Sequence, residues 1–224
     1  MAERGQILVE GFSDQKVVQA ILNEHERDLA FDVIYRKGHE GYPSLRESFE
    51  TTLTKNLDIR GLGVVADADH DVAGRWRSLA DVLRGAGYPG VPDTPDPAGL
   101  VLESHSSSMA ELPRVGVWLM PDNQSAGMLE SFITRMVPAG DVLWDLAERS
   151  VDECYDIDPR YPAAGSREAH RPKALIHTWL AWQTEPGKPL WQALLKPSLE
   201  PGVDHASFRA WLGRLWTVGS AQGT

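Results

Sequence analysis

A single cysteine, Cys154, in 224 residues excludes an internal disulfide framework and any multi-cysteine zinc site. With nothing near it to activate the thiol, Cys154 reads as an inert packing residue. Long apolar runs are missing too: stretches such as Val115–Met120 fall far short of the roughly 18 residues that span a bilayer, so no transmembrane helix is expected. The first apolar stretch, Ile7-Leu8-Val9, is ended by Glu10, too short and too acidic for a signal-peptide core, and the expected location is the cytoplasm. Positive charge is in deficit, with 22 Lys+Arg against 32 Asp+Glu and a formal net charge of −10, which excludes a basic coat for gripping nucleic acid. There is no Gly-x-x-x-x-Gly-Lys-Ser/Thr sequence, hence no P-loop ATPase, and no Gly-x-Ser-x-Gly nucleophile elbow. Neither a fixed-period repeat nor a low-complexity tract is present. What remains is 42% hydrophobic and 24% charged, the composition of an ordinary globular protein.

The first 120 residues alternate strand and helix signals, the pattern of an α/β fold with a mostly parallel sheet flanked by helices. Gln6–Glu10, Phe31–Tyr35 and Leu62–Ala66 read as strands, and Gly99–Glu103 and Val115–Met120 as two more. Helices are predicted from Ser13 to about Glu26, from Pro43 to Lys55, from Val72 onward with Trp76, Leu79, Val82 and Leu83 on one face, and after Gly127 with Met128, Leu129, Phe132, Ile133 and Met136. The stretch from Gly85 to Pro97 is a loop by its Gly, Pro and Asp content, and His105–Ser108 reads as a mobile loop. Beyond residue 138 the strand signal disappears. Helices are expected over about Asp141–Asp152, Arg167–Gln183, Pro189–Leu195 and His205–Trp216. Five of the eight tryptophans (Trp179, Trp182, Trp191, Trp211, Trp216) lie in the last three of these helices, and their helical spacing favours interhelix packing over a platform for stacking bases.

Functional groups of a parallel α/β sheet collect at the carboxyl ends of its strands. Glu10 ends the first strand, Asp67 and Asp69 leave the third, and Asp122 and Glu130 flank the loop after the last. Hard cations such as Mg²⁺ take oxygen ligands, and Asp-x-Asp with the small Ala68 between its carboxylates can present both. Read alone, Asp67 and Asp69 are better explained as loop or capping residues than as ligands, and Asp71 is placed as the N-cap of the next helix. Glu130 reads either as a ligand or as a surface carboxylate at the positive end of its helix. Asp122 reads as an Asx-turn residue, and His39, His70 and His177 as structural or surface histidines, His70 being the one placed to face a substrate.

Leu8-Val9-Glu10-Gly11 with Asp14 at the head of the first helix, followed by Val64-Val65-Ala66-Asp67-Ala68-Asp69, resembles the Toprim domain of topoisomerases, primases and the overcoming-lysogenization-defect (OLD) nucleases. Trp118–Asn123 followed by Gly127–Glu130, and Lys173–Trp182, look like an uncharacterised bacterial Toprim-like family close to the OLD type. The resemblance implies a Toprim-like domain over residues 1–137 with a helical C-terminal extension, 138–224, packed on it. It implies that Glu10 is a general acid or base or a metal ligand, that Asp67 and Asp69 hold Mg²⁺ or Mn²⁺, that Glu130 helps hold a second ion, and that Lys173, with Arg171 as substitute, neutralises phosphate charge. The implied activity is metal-dependent phosphodiester hydrolysis of DNA or RNA; the alternative is a metal-dependent nucleotide or nucleic-acid binding module without turnover. OLD-type enzymes carry an ATPase domain on the same chain and this sequence has none, which implies either a minimal stand-alone Toprim protein or an ATPase supplied in trans. Glu10, Asp67, Asp69 and Glu130 would account for −4 of the net charge, which bound ions would offset. The −6 left elsewhere fits a substrate met transiently.

Overall fold

The computed structural model describes residues 5–23, 31–55, 59, 61–106, 111–157, 166–194 and 199–216. The first apolar run forms β1 (Gly5–Leu8), paired in parallel with β2 (Phe31–Ile34), Gly5 opposite Phe31 and Leu8 opposite Ile34. On its other side β1 pairs in parallel with β3 (Gly61–Asp67), which in turn runs parallel to β7 (Arg114–Met120) from Gly61 opposite Arg114 to Asp67 opposite Met120. At the far edge β4 (Leu100–Leu102) lies antiparallel to β7, giving the order β2-β1-β3-β7-β4. The expected α/β architecture with a mostly parallel sheet is what the chain adopts. β4 is antiparallel because it is joined to β7 through the small hairpin of β5 (His105–Ser106) and β6 (Glu111–Leu112), with no helix among the described residues between them to make a crossover. His105 and Ser106, expected in a mobile loop, are thus paired strand residues; Ser107 and Ser108 lie outside the described residues.

The strands are apolar at nearly every position because both faces of the sheet are covered. Alternate residues go to opposite sides. Leu8, Leu62, Val64, Ala66, Val115, Val117 and Leu119 pack under α2 (Tyr42–Thr54) and α3 (Val72–Ala86). Ile7, Val9, Phe31, Val33, Val65, Trp118 and Met120 face a layer made by α1 (Phe12–Asn23), α4 (Leu129–Thr134), α6 (Ser166–Ala181), α7 (Leu190–Ala193) and α8 (Val203–Trp216). α5 (Val142–Ile157) reaches the same cluster through Ala147, which is buried, and packs on α6. One continuous apolar cluster therefore joins residues before and after position 137.

Two strand glycines explain how α8 fits. Gly63 and Gly116 are register partners on β3 and β7. A Cβ on Gly63 would lie 3.0 Å from Leu215 Cδ2 and 3.1 Å from Ile7 Cγ1; one on Gly116 would lie 3.1 Å from both Leu215 Cδ1 and Trp211 Cζ2. The helix rests on bare backbone, and Trp211 Nε1 donates to the Leu100 carbonyl at 2.9 Å. Phe208 stacks on Trp211 with centroids 5.5 Å apart, and Trp118 meets Phe208 edge-on at 5.2 Å. Trp179 and Trp211 are fully buried, which accords with packing, while Trp182 is 38% exposed. Cys154 departs from its expected packing role: α5 buries Ala147, Val151 and Tyr155, and the thiol beside them is exposed.

Candidate functional site

From β1 the chain passes through α1 to β2 on one side, then returns through α2 to β3 on the other. α1 and α3 lie on opposite faces of the sheet, so the loops leaving β1 and β3 diverge and leave a crevice at the carboxyl ends, the place where open α/β sheets bind ligands. Glu10 and Asp67 stand at this crevice. Where the β1–β3 ladder stops, Glu10 continues it with its side chain: Oε1 accepts the Asp67 N–H at 2.9 Å. Asp67 Oδ1 accepts the Leu129 N–H, also at 2.9 Å, satisfying one of the orphan donors that open α4 and tying β3 to the loop after β7. The next residue, Glu130, is only 5% exposed, and its Oε1 lies 3.3 Å from Lys173 Nζ on α6. Asp14, in the first turn of α1, completes the group.

Donors are too few for Glu10, Asp14 and Asp67, and their proton affinities show it. Burial pushes Glu10 up to about 7; the Asp67 N–H and Arg75 oppose the shift, and Asp14 and Asp69 add to it. Burial likewise raises Asp14 to about 6, with Glu130 pushing further up and Lys173 pulling down. Asp67 is held well above the usual carboxylate range, first by burial and then by the charges of Asp14, Glu10 and Glu130.

Asp69 is placed differently. Its backbone sits in the left-handed region at φ 51° and exchanges two hydrogen bonds with Gly127, at 2.8 and 2.7 Å, which stitch the loop after β3 to the loop after β7. Its Oδ2 is engaged by Arg75 of α3. Among the described residues no three His, Cys, Asp or Glu side chains are arranged to hold a metal ion as they stand. The physical cause is visible in the pairings: Asp69 is taken by Arg75, Glu130 by Lys173, and Glu10 and Asp67 each spend one oxygen on a backbone N–H. The donor set itself, all carboxylate oxygen, suits Mg²⁺ or Mn²⁺.

Other expected residues lie apart. Glu130 is buried rather than a surface carboxylate. Arg171 cannot replace Lys173, because its guanidinium forms a two-pronged pair with Asp152 of α5, both contacts 2.9 Å. Asp122 is the Asx-turn residue expected, accepting from the Gln124 and Ser125 N–H groups. Asp71 caps α3 through the Gly74 N–H at 2.8 Å. His39, His70 and His177 are exposed; His39 lines a cavity of about 530 Å³ that reaches Glu10 between α2 and the β1–β2 edge. Two members of the site had no role assigned by sequence, Asp14 and Arg75. Asp14 follows Glu10 by four residues across a strand-to-helix turn, a spacing that returns it to the same end of the sheet. Arg75 follows the cap residue Asp71 by one helical turn, which leaves it at the same end of α3.

The chain belongs to the family described as protein of unknown function (DUF3226), which it matches over residues 4–217. No curated protein and no solved structure matches it.

Proposed function

We propose that this chain is a divalent-metal-dependent phosphodiesterase acting on DNA or RNA, a nuclease of the Toprim type that uses Mg²⁺ or Mn²⁺. The observation that supports it is the gathering of Glu10, Asp14 and Asp67 at the β1–β3 crevice with too few donors to neutralise them, beside a buried Glu130. Glu10 and Asp67 each retain one oxygen for a cation, and Asp69 and Glu130 are the next carboxylates in reach. Bound at such a site, a pair of divalent ions supplies charge for the attacking and leaving oxygens of an in-line phosphoryl displacement. Without metal, burial holds Glu10 up at about 7, and a divalent ion beside it would pull it down and leave it ionised as a ligand or base. Lys173, 53% exposed, offers a compact positive charge beside Glu130 for a phosphate oxygen. The cavity that reaches Glu10 carries Lys55, His39 and the Ser44 and Ser48 hydroxyls, with Arg36 held by Glu47 of the same lining at 2.7 Å, so Lys55 and the hydroxyls are the groups left for a phosphodiester strand. A net charge of −10 favours brief engagement, and we place the protein in the cytoplasm with a separate ATPase that delivers the substrate.

Purified protein incubated with Mg²⁺ or Mn²⁺ and plasmid, single-stranded DNA, RNA or mononucleotides tests this. Expected is polynucleotide cleavage that is lost in EDTA and in Glu10→Ala and Asp67→Ala. A wild type that cleaves none of these, or variants that cleave as well, overturns it; metal binding without cleavage favours the binding module instead.

A further inference from the structure

Of the carboxylates the sequence points to as metal ligands, the fold turns two onto protein cations, Glu130 onto Lys173 and Asp69 onto Arg75, and Asp69 is the more exposed of the two. Its main chain is fixed by the paired hydrogen bonds to Gly127, so only its side chain is free to change partner. That side chain is 40% exposed, whereas Arg75 is 13% exposed and anchored twice: by Asp69, and by the Tyr42 ring of α2, whose centroid lies 3.6 Å from the guanidinium carbon. The charge of Arg75 also acts on Glu10. A cation is thus already supplied at the mouth of the acidic group, on a support that does not depend on Asp69.

We propose that Arg75 is a stand-in cation: in the metal-free protein it neutralises Asp69, and a divalent ion at Glu10 and Asp67 takes Asp69 over, leaving the guanidinium stacked on Tyr42. This rests on the metal-centre reading above. The Asp69 side of the pair is open to water, so that carboxylate can exchange partners, while the stack keeps the displaced guanidinium beside the site, where a phosphate ester becomes its next partner. Arg75 is a positioning residue, acting on the metal through Asp69.

Mn²⁺ affinity, measured by electron paramagnetic resonance on the full chain without substrate, tests it. Arg75→Gln is expected to bind Mn²⁺ roughly three- to tenfold tighter than wild type. Arg75→Lys keeps the charge without the planar stack and should fall between the two; it carries the test if the glutamine variant does not fold. In an Asp69→Asn background the gain from the Arg75 substitutions should shrink to the smaller part that its charge exerts on Glu10, whereas a merely structural Arg75 would weaken binding in both backgrounds. Unchanged or weaker binding by a folded variant, or an equal gain in the Asp69→Asn background, overturns the proposal. Mn²⁺ binding that Asp67→Asn abolishes and Arg75 substitution leaves untouched defeats this inference alone; no Mn²⁺ binding by wild type defeats the metal centre as well.

Discussion

Two acidic neighbourhoods border α4, and their electrostatics are opposite. At its start, Glu10, Asp14, Asp67 and Glu130 are crowded, and the first three are short of donors and hold their protons above the ordinary range. At its end, Asp122 collects the N–H groups of Gln124 and Ser125, the Ser125 hydroxyl and Arg135 Nη1, the last two both at 2.8 Å. Burial works against ionisation there too, but these donors outweigh it and hold Asp122 down at about 2. Arg135 also binds Asp204 at 2.7 Å, so this second group staples the β7–α4 loop to α8. The residue types are alike. What separates a structural staple from a site that asks for a ligand is the number of donors per carboxylate, and that number is set by tertiary contacts.

Breaking the two groups in parallel should give opposite results. The largest effect is on catalysis: Glu10→Ala or Asp67→Asn lowers metal-dependent cleavage of a labelled oligonucleotide by about a thousandfold, while Asp122→Asn leaves it unchanged. Next is pH. Between about 5 and 8 the folded, metal-free protein binds more protons than the unfolded chain at Glu10, whose value rises from 4.5 to about 7, and at Asp14, which rises from 3.8 to about 6. Their contribution is complete below the unfolded values and lost as pH rises through the folded ones, on the order of 3 kcal/mol for Glu10. The melting temperature in EDTA should therefore fall across this range. Asp122 runs the other way: its contribution is present above 3.8 and is lost as pH falls through about 2.

Smaller effects sharpen the contrast. In urea at pH 8 without metal, Asp67→Asn should stabilise by about 1–2 kcal/mol through relieved repulsion, whereas Arg135→Ala should destabilise by a similar amount, because Asp122 and Asp204 lose their shared cation. Smallest is the ligand effect: Mn²⁺ at about ten times its dissociation constant should add about 1.4 kcal/mol to wild type at pH 8, and nothing to Asp67→Asn.

Much of this was legible in the sequence where the signal is local. The apolar run ending in Asp67 forms β3 and delivers that carboxylate to the carboxyl end, and Asp71 caps α3 as its position before Val72 implies. The direction of β4 was not legible, since three apolar residues pair equally well either way and only the hairpin that follows decides. Nor was the fate of Asp69. Asp-x-Asp reads as a pair, yet the positive φ at Asp69 and its bridge to Gly127, 58 positions away in a loop after another strand, turn the second carboxylate toward Arg75. Cys154 shows the same limit: one position along a helix separates the buried Tyr155 from an exposed thiol.

The glycine floor beneath α8 has a consequence for how the protein is made. Trp211 bonds back across 111 residues to Leu100, and Leu215 lies against Gly63 and Gly116 in the middle of the sheet. On a ribosome adding about 5–20 residues per second, the strands are complete several seconds before this helix emerges, and until then a strip of bare backbone flanked by Val65 and Trp118 faces water or a chaperone. The sheet is covered by a helix translated well after its strands, so a nascent chain stalled short of α8 is an aggregation hazard even though the described strands are in place.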